Sequence, residues 1–321
     1  MSSQPSISLK LEKIIRFKVY LQTITGLLIS AGKALGRIGG ADTEPMSIER
    51  TYTCRNSNKS IKVRVPYIPG SSLKGRMRSL LEIALGLPLY SSDKKIWSHT
   101  LARNVYVNLS SEDKLNSVDF VNTLIKTDLD RMFGYGAFPL NEVFDELKKE
   151  NKTQLMTSLF TVLSPTSLLV EDLFPEETYV CNIYEENDLV TFDDFIEDKN
   201  ENRIDRVTSA ADHRTIGRVK PGVTFTGTLS LLVFDKNSSK LKDYLELLVK
   251  GMVLMEKTYL GAAGSRGYGR VKFTKLIVSI YDPAKMSETV YKEEFKSVEE
   301  LSKDIENLAK SVTSQQTGVK S

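Results

Sequence analysis

From Leu9 to Thr25 apolar residues alternate with polar ones, Leu11, Ile14, Phe17, Val19, Leu21 and Ile24 among them, and this spacing predicts one long strand. Gly222 to Phe234, GVTFTGTLSLLVF, alternates in the same way and predicts a strand with one buried face. The period changes at Leu73, Met77, Leu80, Leu81 and Ala84, which recur at helical spacing. Pro66 and Pro69 hold the approach to them extended, and Gly70, Ser71 and Ser72 supply cap oxygens and backbone freedom, so this helix is expected to begin near Ser72. A helix is also expected over Val121 to Phe133, ended by Gly134 and Gly136, and another through Leu241, Tyr244, Leu245, Leu248, Val249, Met252 and Met255. Gln154 to Val170 reads as a strand, as does Arg270 to Tyr281, while Ser91 to Ser117 reads as irregular surface. Phe295, Val298, Leu301, Ile305 and Leu308 mark a short amphipathic helix before a polar tail. Strands and helices mix without a βαβ rhythm, which predicts an α+β fold.

A chain of 321 residues, 40% of them hydrophobic, has room for one large or two ordinary domains. Its apolar runs, such as Leu247 to Met255 with Lys250 inside, are too short to span a bilayer, so no membrane partner is expected. The N-terminal MSSQPSISLKLEK lacks a signal-peptide pattern. Cys54 and Cys181 are too few for a disulfide framework, which suits a reducing, cytoplasmic setting. With only two histidines besides, no zinc site is expected. The net charge of +3 conceals an uneven distribution. Acid gathers at Glu142 to Glu150 and from Glu171 to Glu201, a stretch expected to be a solvated excursion; base gathers at Arg50 to Arg78 and Arg203 to Arg218.

Four segments carry candidate chemistry. The helix start at Gly70, Ser71 and Ser72 offers free N–H groups and the positive dipole end, with Lys74 and Arg78 four residues apart, Arg76 between them and Gly75 leaving the first turn open. It is not a nucleotide P-loop, because Arg76 and Met77 follow Gly75 where that motif has Lys and Ser or Thr. The loop GAAGSRGYG lets backbone approach a ligand, and in it Gly264, Ser265, Arg266 and Tyr268 set a cation and a stacking face beside single-stranded nucleic acid. It precedes a strand instead of opening a helix, which argues against a dinucleotide fingerprint. Glu201 to Val219 carries Arg203, Arg206, Arg214 and Arg218, an arm suited to a phosphate backbone or, equally, to pairing with the acidic stretch before it. Asp42 stands in a glycine-rich loop with Gly32, Gly36, Gly39 and Gly40, where it shapes a turn or holds Mg²⁺ through a substrate phosphate. His99 and His213 have the side chain of a general acid or base but no local nucleophile pattern.

The order IGGAD (Ile38 to Asp42), PYIPGSSLKGRMRSLLE, DRMFGYG (Asp130 to Gly136), ENRIDRVTSAADHR (Glu201 to Arg214) and GSRGYGRV (Gly264 to Val271) resembles the RAMP-superfamily backbone subunits of type III CRISPR effector complexes, the Csm type in particular. The motifs cover Ile38 to Val271. The resemblance implies a ferredoxin-like, RNA-recognition-motif-like core over 1–285, with a β-hairpin thumb at about 201–220, an acidic insertion at about 171–200, and a helical extension over 286–321. It implies guide CRISPR RNA and complementary target RNA as ligands. As partners it implies copies of this subunit or related ones, small helical subunits and a large polymerase-like subunit. The family's catalytic aspartate maps onto Asp42, with Mg²⁺ as cofactor and target cut by attack of a ribose 2′-OH on the adjacent phosphate. The chain is long for the family, which implies a specialised or terminal copy.

Three functions compete: an RNA-guided endoribonuclease subunit, a guide-binding backbone in which Asp42 only shapes a turn, and a guide-processing ribonuclease using His99 or His213. If Lys74 and Arg78 contact phosphates, Lys74→Ala and Arg78→Ala lower affinity alike for unrelated guide sequences, and binding weakens with salt. Titrating two unrelated guides at two salt concentrations checks this.

Overall fold

The structure, a computed structural model, describes residues 8–30, 43–54, 59–91, 95–99, 117–136 and 140–314. At its centre lies β1 (Leu11–Thr23), hydrogen-bonded on both sides. Its alternation is read out directly: Ile15, Phe17, Val19 and Leu21 are buried, while Arg16, Lys18 and Tyr20 point to the other face. Antiparallel neighbours are β8 (Thr224–Phe234) and β9 (Val271–Asp282). Beyond β8 lies β4 (Leu168–Val170), with β5 (Phe174–Pro175) also on β8, and beyond β9 lies β10 (Ser287–Phe295).

Helices α1 (Gly70–Ala84), α7 (Leu241–Lys257) and α8 (Val298–Ser314) cover one face of this sheet. Met77 and Leu81 of α1, Leu248 and Met252 of α7, and Leu301 and Ile305 of α8 share one core with the buried side of β1. The order β1-α1-β4-β8-α7-β9, with β9-β1-β8-β4 side by side, is the ferredoxin-like βαββαβ arrangement, so the α+β expectation holds. A satellite core sits apart, built by α2 (Ser117–Lys126), α4 (Leu140–Lys149) and α5 (Thr153–Val162) around Phe120, Leu124, Val143 and Leu159. A short helix, α3 (Asp128–Phe133), links it to α1 and α7.

Several expectations change. Residues 154–162 are helical, because their apolar side chains face the satellite core and a short apolar run does not distinguish the two periods. The helix expected over Val121 to Phe133 is two, broken at Thr127, with Gly134 at φ 107° ending the second. The C-terminal stretch is no appendage: β10 extends the sheet and α8 joins the main core. A hairpin absent from the sequence reading, β2 (Ser47–Cys54) with β3 (Lys59–Pro66), has its signal in Ile61, Val63 and Val65 at alternate positions. The acidic stretch is ordered, carrying α6 (Glu177–Asn187), whose Val180 and Cys181 are buried. Most of Ser91 to Ser117 lies outside the described residues.

The two cysteines are not free. Cys54 ends β2 and is joined by a disulfide to Cys181 of α6, with their Cα atoms 5.4 Å apart. Cys54 and Cys181 both face inward where α6 packs on β2, which is what brings them into bonding range. Cysteine usage therefore no longer argues for a reducing compartment. Among the described residues no helix is long and apolar enough to cross a membrane. Because the bridge closes a loop 127 residues in sequence, Cys54→Ser should destabilise the fold by about 2–5 kcal/mol. Thermal unfolding with and without a reductant measures it, and reductant should leave the variant's midpoint unmoved.

Candidate nucleic-acid interface

After β1 the chain continues as residues 24–30, laced to two other segments. One is the base of a hairpin, β6 (Ile196–Ile204) with β7 (Ala211–Val219): Leu27 and Val219 exchange backbone hydrogen bonds at 2.9 and 2.8 Å. The other is the glycine-rich loop: Ala262 donates to the Leu28 carbonyl at 2.8 Å and Gly269 to the Gly26 carbonyl at 2.9 Å. Gly269 has φ 73°, and a Cβ there would lie 1.9 Å from the Leu260 carbonyl oxygen, so a side chain would part the loop from the end of α7. Asp42 and its glycine-rich loop lie outside the described residues; the chain is described again at Thr43, whose carbonyl accepts from Gly217 of β7 at 2.9 Å.

The hairpin is where an arm was expected, but it begins at Ile196. Its arginines divide. Arg214 pairs with Glu201 at 2.8 Å and Arg218 with Glu197 at 2.7 Å, while Arg203 and Arg206 are exposed toward the tip with no carboxylate partner among the described residues. Asp205 organises the turn, its carboxylate accepting from the Val207 and Thr208 N–H groups, and these bonds hold its pKa below the usual range. His213 is exposed and meets Asn202 across the strands.

Tyr268 differs from the expected open stacking face. It is buried among Leu28, Ile216 and Ala263, and its hydroxyl donates to Glu201 at 2.7 Å. The Lys199 ammonium and the Arg218 guanidinium lie 4.4 and 4.5 Å from its ring centre. It thus fastens the loop to the hairpin base. The Tyr268 hydroxyl, with Arg214 and Lys199, pulls the Glu201 pKa down to about 2. Ser265 and Arg266 of the same loop remain exposed.

Along α1 the cations face three ways. Gly70, and not Ser72, opens the helix, and a Cβ at Gly70 would lie 2.2 Å from the Val170 carbonyl oxygen of β4, so the close packing of helix start on strand needs the glycine. Its N–H is taken by the Asp172 carboxylate at 2.8 Å, so the helix start already holds an anion supplied by the chain. Ser71 is exposed and Ser72 half-buried, and neither caps the helix with its side chain. The Lys74 ammonium donates to the Leu168 carbonyl at 2.8 Å; burial, then Arg78, lowers its pKa. Arg76 faces the loop, donating to the Tyr259 carbonyl at 2.9 Å with its guanidinium 4.1 Å from that ring's centre.

Arg78 turns inward. It pairs with Glu82 and with Asp130, each at 2.7 Å, and donates to the carbonyls of Gly134 and His99. The buried Asp130 also accepts from His99 Nε2 at 3.1 Å, while His99 Nδ1 meets the Pro88 carbonyl at 2.8 Å. Both ring nitrogens face acceptors, so both bonds form only in the imidazolium. Burial works against that charge, but the Asp130 and Pro88 hydrogen bonds and the charges of Asp130 and Glu82 outweigh it and raise the His99 pKa. The free basic face expected from Lys74 and Arg78 is therefore a set of internal fastenings between α1, β4 and α3. The sequence reading missed Asp130, Asp172, Lys199 and Tyr259 as partners, for which no local pattern exists.

At the loop end of the sheet the structure thus gathers Arg76, Ser265, Arg266 and the hairpin base, and leaves Lys74 and Arg78 on another side. The RAMP superfamily model matches residues 20–272. Over 252 residues the chain is 29% identical to the CRISPR system Cms endoribonuclease Csm3 of Methanothermobacter thermautotrophicus, covering 78% of this chain and 80% of that one. It is 27% identical over 262 residues to the protein of the same name from Streptococcus thermophilus, covering 82% and 88%. The Methanopyrus kandleri Csm3 crystal structure superposes with a TM-score of 0.50 at 18% identity, covering 93% of this chain and 98% of that one, a likeness of fold.

Removing one partner from a buried charge network costs about 3–5 kcal/mol, so Asp130→Asn should lower stability by that order, read by denaturant unfolding. Because His99 titrates above its ordinary value when folded, its contribution is complete below about pH 6.5 and fades as pH rises through the folded value. Melting temperatures taken from pH 5.5 to 8.5 should therefore fall less steeply in His99→Gln than in the parent chain.

Proposed function

The chain belongs to the RAMP superfamily, and from that footing we propose that it is a guide-RNA-binding backbone subunit of a type III CRISPR interference complex. The observation that carries the reading is the meeting, at one end of the sheet, of residues 24–30, the hairpin base and the GAAGSRGYG loop, with Thr43 against the same hairpin. Segments far apart in sequence are thereby set along one edge, where an extended strand of RNA would touch all of them. Arg76, Arg266, Arg203 and Arg206 are the cations that meet phosphates in this proposal, and Ser265 and Ser71 offer hydroxyls beside them, while Gly264 makes room for the Tyr259 ring, which a Cβ there would meet at 2.0 Å. Gly70, Ser72, Lys74, Arg214 and Tyr268 hold these segments in place. The partners are guide and target RNA, further RAMP subunits, small helical subunits and a large polymerase-like subunit, assembled in the cytoplasm.

In this reading the subunit cuts target RNA and Asp42 is the catalytic residue. The 2′-oxygen of a target ribose bonds to the adjacent phosphorus as the bond from phosphorus to the next 5′-oxygen breaks. The 2′-OH gives up its proton and the departing 5′-oxygen takes one, leaving a 2′,3′-cyclic phosphate and a 5′-OH. Asp42 orients the attacking hydroxyl. Glu197 and Glu201, on the strand paired with the one that Thr43 meets, are engaged by Arg218 and Arg214, so a Mg²⁺ would be held by Asp42 with substrate phosphate and water. Bound there, the ion would neutralise charge on the scissile phosphate.

Asp42→Ala is expected to abolish target cleavage by the assembled complex while guide binding and target binding persist. Gel analysis of labelled target beside a binding titration reads both, and unchanged cleavage would leave the subunit a non-catalytic backbone.

A further inference from the structure

A disulfide is open to exchange wherever a thiolate can reach one of its sulfurs. The two ends of the bridge between Cys54 and Cys181 differ in this respect. Cys54, on β2, has no exposed surface, whereas Cys181, on α6, keeps 8% of its own. Cys181 is also part of the wall of a cleft of about 490 Å³, which α6 forms with β2, β5 and the uncovered face of the sheet. Cys54 is not part of that wall. Thr178, one turn before Cys181 on α6, lines the same cleft and is exposed, so the approach to Cys181 runs past it. The volume lies in the range of about 300–1,000 Å³ usual for small-molecule sites, which suits a low-molecular-weight thiol and not a folded dithiol protein. Carboxylates and cations are mixed along the lining, Glu176, Glu177 and Glu185 with Lys18 and Arg50, so no single sign of charge selects the thiol.

We propose that the bridge exchanges with low-molecular-weight thiols in the folded protein, through Cys181 and from this cleft. A thiolate in the cleft bonds to Cys181 Sγ as the sulfur–sulfur bond to Cys54 breaks. The bonding pair leaves with Cys54 Sγ, which takes up a proton because burial disfavours its thiolate. A second thiolate then attacks the sulfur of the first and releases a small disulfide and the thiolate of Cys181, which is protonated in turn. Two small thiols are oxidised and the cysteine pair is reduced. The fold holds the two Cα atoms 5.4 Å apart, so until the second thiol arrives Cys54 can return to Cys181 and expel the first. The covalent attachment of α6 to β2 thus follows the thiol poise of the surroundings without unfolding of the chain.

The full chain, unsubstituted, is treated with 2-mercaptoethanol, quenched with acid at intervals and analysed by peptide mass spectrometry. The rate of reduction should rise in proportion to the thiol and stay constant in urea below the unfolding transition, with the first adduct on the peptide holding Cys181. A rate that climbs with urea in step with the unfolded fraction, or a first adduct on Cys54, overturns the proposal. Thr178→Trp fills the exposed approach and should slow reduction several-fold with an unchanged melting midpoint; an unaltered rate overturns the route through the cleft. The single-cysteine variants test the asymmetry with 2-hydroxyethyl disulfide. Cys181 in Cys54→Ser should react at least about tenfold faster than Cys54 in Cys181→Ser, since exposure governs thiol reactivity. Equal rates count against the proposal. The first arm carries no substitution, so it decides even where a variant fails to fold. Asp42→Ala leaves the exchange rate unchanged, so this proposal and the cleavage reading fail separately.

Discussion

Everything in this fold follows from β1 being hydrogen-bonded along both edges. A strand fixed on two sides cannot slip by one residue without turning Ile15, Phe17, Val19 and Leu21 out of the core, so its register is set by burial as well as by hydrogen bonds. One face is thereby given to the helices. The other is left with Arg16, Lys18 and Tyr20 beside the threonines of β8, a polar surface that no core packing specifies. The same strand projects residues 24–30 past the sheet, where the hairpin and the glycine-rich loop fasten to it. The loop end and the polar sheet face are two products of a single pairing constraint.

The basic residues show how little a count of charges says about a surface. Arg78, Arg214 and Arg218 each meet carboxylates, and Arg78 lies in a buried set with Asp130, Glu82 and His99 whose formal charges cancel when the imidazole is protonated. A buried Asp130 without both cations would be strongly unfavourable, which ties α1 to α3 more firmly than apolar contact alone. Of the arginines expected to meet RNA, Arg203, Arg206 and Arg266 are the ones left exposed with no carboxylate partner among the described residues, at the hairpin and the glycine-rich loop. Among the cations expected to meet RNA, the exposed ones therefore do not follow the basic face of α1.

Where a segment contacts a single broad core, its pattern is legible in the sequence. Thus β1, β8, β9 and α7 fall within a few residues of expectation, and the glycine-rich loop is correctly placed between α7 and β9. Where burial is on a private surface, the pattern misleads: residues 154–162 face only the satellite core, and α6 hides Val180 and Cys181 in a run otherwise crowded with acid. Candidate site residues could be named from the chain, but their orientation could not. Tyr268 and Arg266 stand two positions apart in one loop, and one is buried on Glu201 while the other is exposed. Partners such as Asp130, 52 residues from Arg78, leave no local mark.

The bridge between Cys54 and Cys181 makes a covalent ring of the residues between them, with β3, α1 and the whole satellite core on its circumference. A single peptide-bond break anywhere on that ring opens it into two arms that stay attached to one another. Such a nicked molecule keeps the mass of the intact chain plus one water until the sulfurs are separated. Damage to the longest stretch of connecting structure is thus converted from loss of a fragment into a change of connectivity.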